Sequence, residues 1–207
     1  MSRLIAFGCS STFGQGLSDC DGVYNPKITQ PSKFAWPSVL ASLLDLECIN
    51  MSTPGSSNKR IMYNVKNFKF DKNDVVTILW SMPVRHAIFS KEKYDKNAII
   101  HDLSPSGTGD KDIAYYTHLH DDYDCYVMDN LYKDYTYRIL KEKIKDFKFL
   151  FFGKNSVNYH YFEDVWWVPE YYNGENLCPD GIHADQKSHQ RYAEDLYKLV
   201  FCKSNQQ

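Results

Sequence analysis

Short apolar runs alternate with amphipathic segments along this 207-residue chain. The runs are only four to six residues long and are followed by glycine, proline or polar residues, which is typical of buried strands. They cover 4–7, 46–51, 75–80, 147–152 and 165–168. Strands that alternate with helices form a parallel sheet that is covered on both faces. We therefore expect an α/β fold around one central, mostly parallel five-stranded sheet.

Helical spacing of apolar residues predicts helices over 33–45, 57–67 and 122–145, and a last one through Val200. We expect four tyrosines at such spacing to pack in the core: Tyr123, Tyr135, Tyr192 and Tyr197. Periodicity fails between 83 and 120, where 104–109 is rich in Ser, Pro and Gly. The sequence thus predicts a single domain over 1–207 with a loop insertion around 83–120.

Composition excludes several classes of protein. The 24 basic residues nearly balance the 26 acidic ones, and no long Lys/Arg run indicates nucleic-acid binding. No apolar run approaches the ~20 residues of a membrane helix, and no signal-peptide core is evident, so we expect a soluble, cytoplasmic protein. The six cysteines form no CxxC pair, which favours reduced, buried thiols. His118 and His120 lack a third ligand at a recognisable spacing, so no metal or other cofactor is predicted.

Three separated segments contain residues suited to acyl transfer. Ser10 follows the first predicted strand, Gly55 follows the second, and Asp180 and His183 precede the last helix. Carboxyl ends of parallel strands meet at one edge of a sheet, where ligands bind. A serine hydroxyl needs a histidine to take its proton and a carboxylate to orient that histidine. The backbone N–H groups of Ser10 and Gly55 suit an oxyanion hole.

These segments resemble the SGNH, or GDSL-type, hydrolases. The resemblance rests on G-C-S-S-T-F-G at 8–14, N-x-x-x-P-G-x-S-N at 50–58 and D-x-x-H at 180–183, across essentially the whole chain. It implies Ser10 as nucleophile, Asp180 and His183 as the rest of the triad, and Gly55 as the oxyanion glycine. It also implies a flavodoxin-like three-layer α/β/α sandwich and metal-independent hydrolysis of esters, often acyl groups on sugars or lipids. The opening is similar to that of divergent hydrolase-like proteins of tailed phages, for which host cytoplasm or a virion is the expected location.

Two departures from the family pattern affect the predicted site. Cys9 stands where the family has an aspartate that is not the catalytic carboxylate. The family's asparagine after the third strand is missing from the segment around Ser81. Loss of one oxyanion donor costs about 10²–10³-fold in turnover. Ser81 or Arg85 is expected to replace it, and Arg85 is alternatively expected to bind an anionic group of the substrate.

Other interpretations of the same residues stay open. Ser10 also suits helix capping, and Ser11 is a rival nucleophile. Asn58 is a weak substrate-binding candidate that also suits tying loops together. Aromatic clusters at 115–116, 159–162, 166–167 and 171–172 suit a wall for stacking sugars, with Trp166 and Tyr171 as the candidate contacts. The same clusters also suit an oligomer contact or a virion-assembly surface.

The function predicted from the sequence is hydrolysis of an ester, with a small-molecule or carbohydrate ester as substrate. A carbohydrate O-acyl esterase or deacetylase is the specific hypothesis. The alternative is a non-catalytic carbohydrate-binding or phage structural or assembly protein that keeps the same fold.

Overall fold

A computed structural model describes residues 2–20, 30–91, 98–105, 107–152, 165–168 and 176–198. Its strands are β1 (Arg3–Phe7), β2 (Glu47–Asn50), β3 (Val75–Leu79), β4 (His86–Lys91), β5 (Ala98–Leu103), β6 (Asp146–Phe152) and β7 (Val165–Val168). Its α-helices are α1 (Ser10–Phe13), α2 (Trp36–Leu43), α3 (Asn58–Asn67), α4 (Asp110–His118), α5 (Asp122–Lys143) and α6 (Gln186–Leu196). Among these residues no helix is long and apolar enough to cross a membrane.

The main sheet has the order β2-β1-β3-β6-β7, and each of its strand pairings is parallel. When the separate β4-β5 hairpin is set aside, this is the flavodoxin-like order 2-1-3-4-5. The chain moves outward from β1 to β2 and then crosses back to β3 on the other side of β1. The α/β class with a parallel sheet is therefore confirmed, and the carboxyl ends of β1 and β3 form the switch point where ligands bind in such folds.

Strand residues alternate between two apolar layers because successive side chains point to opposite faces of a sheet. Leu4 packs with residues of α2 and α6, including Trp36 and Tyr192. Its neighbour Ile5 packs on the other face with residues of α3 and α5. Each of these four side chains is at most 1% exposed, so both layers are closed to water.

The packing face of α5 differs from the one that the sequence predicts. Tyr123 and Tyr135 are 75% and 44% exposed, so the prediction that they pack in the core is wrong. The buried side of α5 instead includes Asp129, Lys133 and Thr136. The repeat of apolar residues every four positions predicts a different side of α5, but Asp129 on the buried side accepts a hydrogen bond from Asn58 of α3. Tyr192 is buried as expected.

The segment 83–120 was predicted as a loop insertion, and the loop part of that prediction is wrong. β4 and β5 form an antiparallel hairpin, and α4 follows it. Asp102 of β5 accepts hydrogen bonds from Ser57 N (3.0 Å) and pairs with Arg60 (2.5 Å), which ties the hairpin to the start of α3. This inward-facing carboxylate interrupts the apolar alternation by which a strand is recognised.

The two neighbouring tyrosines of α4, Tyr115 and Tyr116, pack against the β4-β5 hairpin. Tyr115 stacks on His86 with ring centroids 4.7 Å apart. The Tyr116 hydroxyl donates to the carbonyl of Val84 at 2.6 Å, and burial raises the pKa of Tyr116 to about 12. Both rings therefore hold α4 against the hairpin, contrary to the expectation that they contact a ligand.

Candidate active site

Ser10 lies on a tight turn between β1 and α1. It is the first residue of α1, follows Cys9 at the N-cap, and is 7% exposed. A Cβ on Gly8 would lie 2.1 Å from Thr12 Oγ1 and 3.1 Å from the carbonyl oxygen of Leu79. Glycine at position 8 therefore lets the turn close against the end of β3. In the described part of the chain the Ser10 N–H has no hydrogen-bond partner, so it is available to an incoming oxygen.

Asp180 and His183 lie on a short loop before α6. The loop is closed by a bridge between Leu177 and Ala184. Asp180 Oδ1 accepts from the backbone N–H groups of Ile182 (2.9 Å) and His183 (3.0 Å), as acidic side chains do in turns. Its other oxygen, Oδ2, lies 2.7 Å from His183 Nδ1. One carboxylate thus both folds the loop and orients the imidazole.

The hydrogen bonds to Asp180 keep it ionised. Burial alone would raise its pKa, but the backbone and ring N–H groups of His183, together with the N–H of Ile182, lower the pKa of Asp180 below its usual value. An ionised carboxylate at Nδ1 leaves the other ring nitrogen, Nε2, to act as a base.

Gly16 connects the two segments and was missed by the sequence reasoning. A Cβ on Gly16 would lie 2.9 Å from Asp180 Oδ2 and 2.9 Å from Cys178 Cβ, and its φ is +90°. The loop after α1 therefore packs directly on the carboxylate that orients His183. The sequence offered only one signal for this contact, a glycine two residues after Gly14 in the same loop.

Ser10 and His183 line the same cavity, whose volume is about 300 Å³. The other described lining residues are Cys9, Ser11, Ser81, Met82, Arg85 and Ile182. No direct hydrogen bond joins Ser10 and His183 in the described part of the chain. Catalytic hydrogen bonds in ligand-free enzymes often form only when substrate binds, so the shared cavity is the relevant geometry.

The end of β3 contributes Ser81 and Arg85 to this cavity. Arg85 Nη1 donates to Ser81 Oγ at 3.2 Å. The Ser81 N–H is already bonded to Asn58 Oδ1 at 2.6 Å, so its hydroxyl is the group left to face a substrate. A hydroxyl that accepts a hydrogen bond from a cation is polarised into a better donor.

Asn58 was predicted as a weak substrate contact, and its surroundings contradict that role. It is 2% exposed, and it brackets Ser81 by accepting from the N–H and donating to the carbonyl at 2.9 Å. Its amide nitrogen also donates to Asp129 Oδ1 at 2.5 Å, and Asp129 is paired with Lys133. All of these side chains are buried, so Asn58 fixes the end of β3 and does not line the cavity.

The other predicted site residues differ in their positions relative to the cavity. Gly55 has φ +76° in an exposed turn after β2, and it is not among the described residues that line the cavity. Ser11 lines the cavity beside Ser10. The backbone of Trp166 belongs to β7, paired with Leu150, and Tyr171 lies outside the described residues. The described residues contain no group of three or more His, Cys, Asp or Glu side chains that could hold a metal ion.

Comparison with solved structures places this architecture among known folds. A carbohydrate esterase, described as having an active site with divergent catalytic and non-catalytic binding functions, is similar with a TM-score of 0.60 and 11% identity over 99% of this chain. An acetyl xylan esterase from the rumen bacterium Butyrivibrio proteoclasticus has a TM-score of 0.60 and 12% identity over 99% of this chain. This chain spans 65% and 64% of those two proteins.

A member of the lipolytic G-D-S-L family from Veillonella parvula is similar over nearly its whole length. Its TM-score is 0.50 at 10% identity, with 97% of this chain and 99% of that chain covered. No family model and no curated protein matches the sequence. The fold is thus that of the SGNH-type hydrolases, and at this level of identity the likeness establishes the fold alone.

Proposed function

We propose that this protein is a serine esterase that cleaves an acyl ester by way of Ser10, His183 and Asp180. Ser10 Oγ attacks the carbonyl carbon while His183 Nε2 takes the hydroxyl proton. The bond from the carbonyl carbon to the alcohol oxygen then breaks, and the imidazolium returns the proton to that oxygen. Water attacks the acyl-enzyme in the same way and releases the acid. The single observation that supports this most is the cavity shared by Ser10 and His183, with Asp180 bonded behind the imidazole.

The oxyanion hole in this proposal draws on three groups. The N–H of Ser10 faces the attacked carbonyl without a competing partner in the described chain. The N–H of Gly55 is the second donor, as its place after β2 suggests. The Ser81 hydroxyl, oriented by Arg85, substitutes for the missing asparagine.

The proposed substrate is a carbohydrate that carries an O-acyl group, such as an acetylated sugar. Two structures with TM-scores of 0.60 are named as carbohydrate esterases, one of them an acetyl xylan esterase. Trp166 and Tyr171 are the proposed sugar-stacking residues. Acetate release from acetylated xylan should exceed that from short aryl esters, and equal or zero release would leave only a general esterase.

Two observations favour a second candidate, a carbohydrate-binding protein without catalysis. Ser10 and His183 are not hydrogen-bonded to each other. The family's asparagine is also absent after β3. In this alternative the cavity binds an acylated sugar and leaves it intact.

Covalent labelling with a fluorophosphonate probe separates the two candidates. The wild-type protein should be labelled, Ser10→Ala should not, and the matched control Ser11→Ala should be labelled at the wild-type rate. Hydrolysis should fall by at least about 10³-fold in Ser10→Ala, as it does when a serine nucleophile is removed. Unlabelled wild-type protein would refute the esterase, and label that is lost in Ser11→Ala would make Ser11 the nucleophile.

A further inference from the structure

Arg85 is the one side chain with a fixed charge among the described residues that line the cavity. It follows β3 in a turn in which its N–H donates to the carbonyl of Met82 at 3.2 Å. The residue is half-buried, and its guanidinium donates through Nη1 to Ser81 Oγ. A guanidinium has five N–H donors in a planar fork, so four remain after this bond.

No carboxylate is among the described residues that line the cavity, and three buried or half-buried carboxylates that bond to neighbouring segments have other partners. Asp180 is bonded to His183, Asp102 is paired with Arg60, and Asp129 is paired with Lys133. In the described part of the chain, Arg85 forms no ion pair. Among the residues that the structure describes, no carboxylate therefore neutralises the charge of Arg85.

Two of the residues that line the cavity have exposed apolar side chains. Met82 and Ile182, which both line it, are 58% and 70% exposed. A ligand that covers them would exclude water around the guanidinium and strengthen its attraction for an anion. The planar fork fits the two oxygens of a carboxylate or phosphate in a bidentate arrangement.

We infer that the cavity takes an ester that carries an oxyanion group, a carboxylate or a phosphate, close to the scissile bond, and that Arg85 binds this group. The inference rests on the proposed function, because it names the substrate class of the same site. It adds that charge, and not only the acyl group, selects the substrate.

Matched aryl acetates test the charge preference. The set is 4-acetoxybenzoate, its neutral methyl ester, 4-acetoxyphenyl phosphate and cationic 4-acetoxyphenyl-trimethylammonium, with each rate divided by the uncatalysed hydroxide rate. In wild-type protein kcat/KM should be about tenfold or more higher for the better anionic ester than for the methyl ester, as one well-placed charge contact gives. Which anionic ester is preferred distinguishes the carboxylate from the phosphate.

Variants at position 85 test the residue. Arg85→Gln should bring the ratio of kcat/KM for the anionic ester to kcat/KM for the neutral ester to about one, because the positive charge is removed. Arg85→Glu should favour the cationic ester, because the local charge is reversed. Arg138→Gln, which removes an exposed arginine on α5, is the matched control and should leave the ratio unchanged. An equal fall in kcat for all esters in Arg85→Gln would overturn the inference, because Arg85 would then act only by orienting Ser81.

Binding to Ser10→Ala separates failure of this inference from failure of the proposed function. Titration calorimetry should show about tenfold tighter binding of 4-acetoxybenzoate or 4-acetoxyphenyl phosphate than of the methyl ester. If the wild type is not labelled but this preference holds, the esterase is refuted and the anion site stands. If labelling succeeds but neither anionic ester is preferred, the inference is wrong and the esterase stands.

Discussion

The buried ion pair of Asp129 and Lys133 holds the end of β3 through Asn58. The two charged side chains are 2% and 1% exposed, and the Lys133 ammonium lies 5.8 Å from the centre of the Trp80 ring. Burial lowers the pKa of Lys133, and the nearby Asp129 carboxylate offsets part of that shift. Asp129 in turn accepts the hydrogen bond from Asn58, which brackets the backbone of Ser81.

Lys133→Met should therefore be strongly destabilising, because it leaves a buried carboxylate without its cation. Breaking a buried pair by removing one partner costs about 3–5 kcal/mol in the free energy of unfolding. In a chain of 207 residues each kcal/mol lowers Tm by about 2–4 °C, so we expect a loss of about 6–20 °C. Adding Asp129→Asn should recover more than half of the loss, since a neutral amide oxygen still accepts from Asn58 and needs no cation.

The chain provides a matched control on the same helix. Asp134 and Arg138 form an i,i+4 pair at 3.0 Å, like Asp129 and Lys133, but their side chains are 49% and 72% exposed. Arg138→Met should cost less than about 0.5 kcal/mol because water screens an exposed pair. Urea unfolding followed by far-UV circular dichroism measures all four proteins. A cost below about 1 kcal/mol for Lys133→Met, or a double variant less stable than the single one, would refute the reasoning.

Two further predictions concern the site and its supports. Gly16→Ala should lower the free energy of unfolding by about 1–2 kcal/mol, because alanine is strained at the positive φ of this position. It should also lower kcat by about 10²-fold, because the added methyl group displaces Asp180. Thermal unfolding measures the first effect and ester hydrolysis the second. Burial lowers the pKa of His189 to about 3, where its Nδ1 accepts from the Trp36 N–H at 3.0 Å. Below about pH 6.5 the unfolded chain protonates this histidine and the folded one does not, so stability should fall by up to about 1.4 kcal/mol per pH unit. His189→Gln should remove that contribution to the slope of unfolding free energy against pH.

Each of these two predictions has its own control. Gly181→Ala introduces the same kind of backbone strain at φ +67° but meets no atom within 4 Å, so it should lose stability with a smaller loss of kcat. Equal kcat losses in the two glycine variants would mean that crowding of Asp180 is irrelevant. For His189, equal slopes in wild type and variant between pH 4 and 6 would contradict a neutral buried imidazole.

Local patterns made much of the fold predictable. Glycine after a short apolar run located the end of β1, and therefore the turn that presents Ser10. Asp180 and His183 are three residues apart, so their contact depends on a single loop and can be predicted from the sequence. The alternation of strands and helices was sufficient to predict the parallel sheet, because short, right-handed connections leave few alternative sheet topologies.

What could not be predicted depends on long-range partners. Nothing in the sequence distinguishes the buried Asp129–Lys133 pair from the exposed Asp134–Arg138 pair, because both have the same spacing on α5. Their difference arises from Asn58, which is 71 residues before Asp129 and provides a polar partner inside the fold. Likewise, the need for glycine at position 16 arises from its contact with Asp180, which is far away in the sequence.

In the proposed site, Arg85 would connect recognition of charge to the oxyanion hole, because it lines the cavity and also donates to Ser81 Oγ. Its planar fork permits both contacts at once, with one edge on Ser81 and another on the anion. Lysine retains the charge but not the fork, so Arg85→Lys should separate the roles. KM for 4-acetoxybenzoate should rise only by about severalfold, because the charge stays while the bidentate contact is lost, whereas kcat should fall for charged and neutral esters alike because Ser81 is no longer oriented. A rise in KM with unchanged kcat would show instead that Arg85 contributes only to substrate binding.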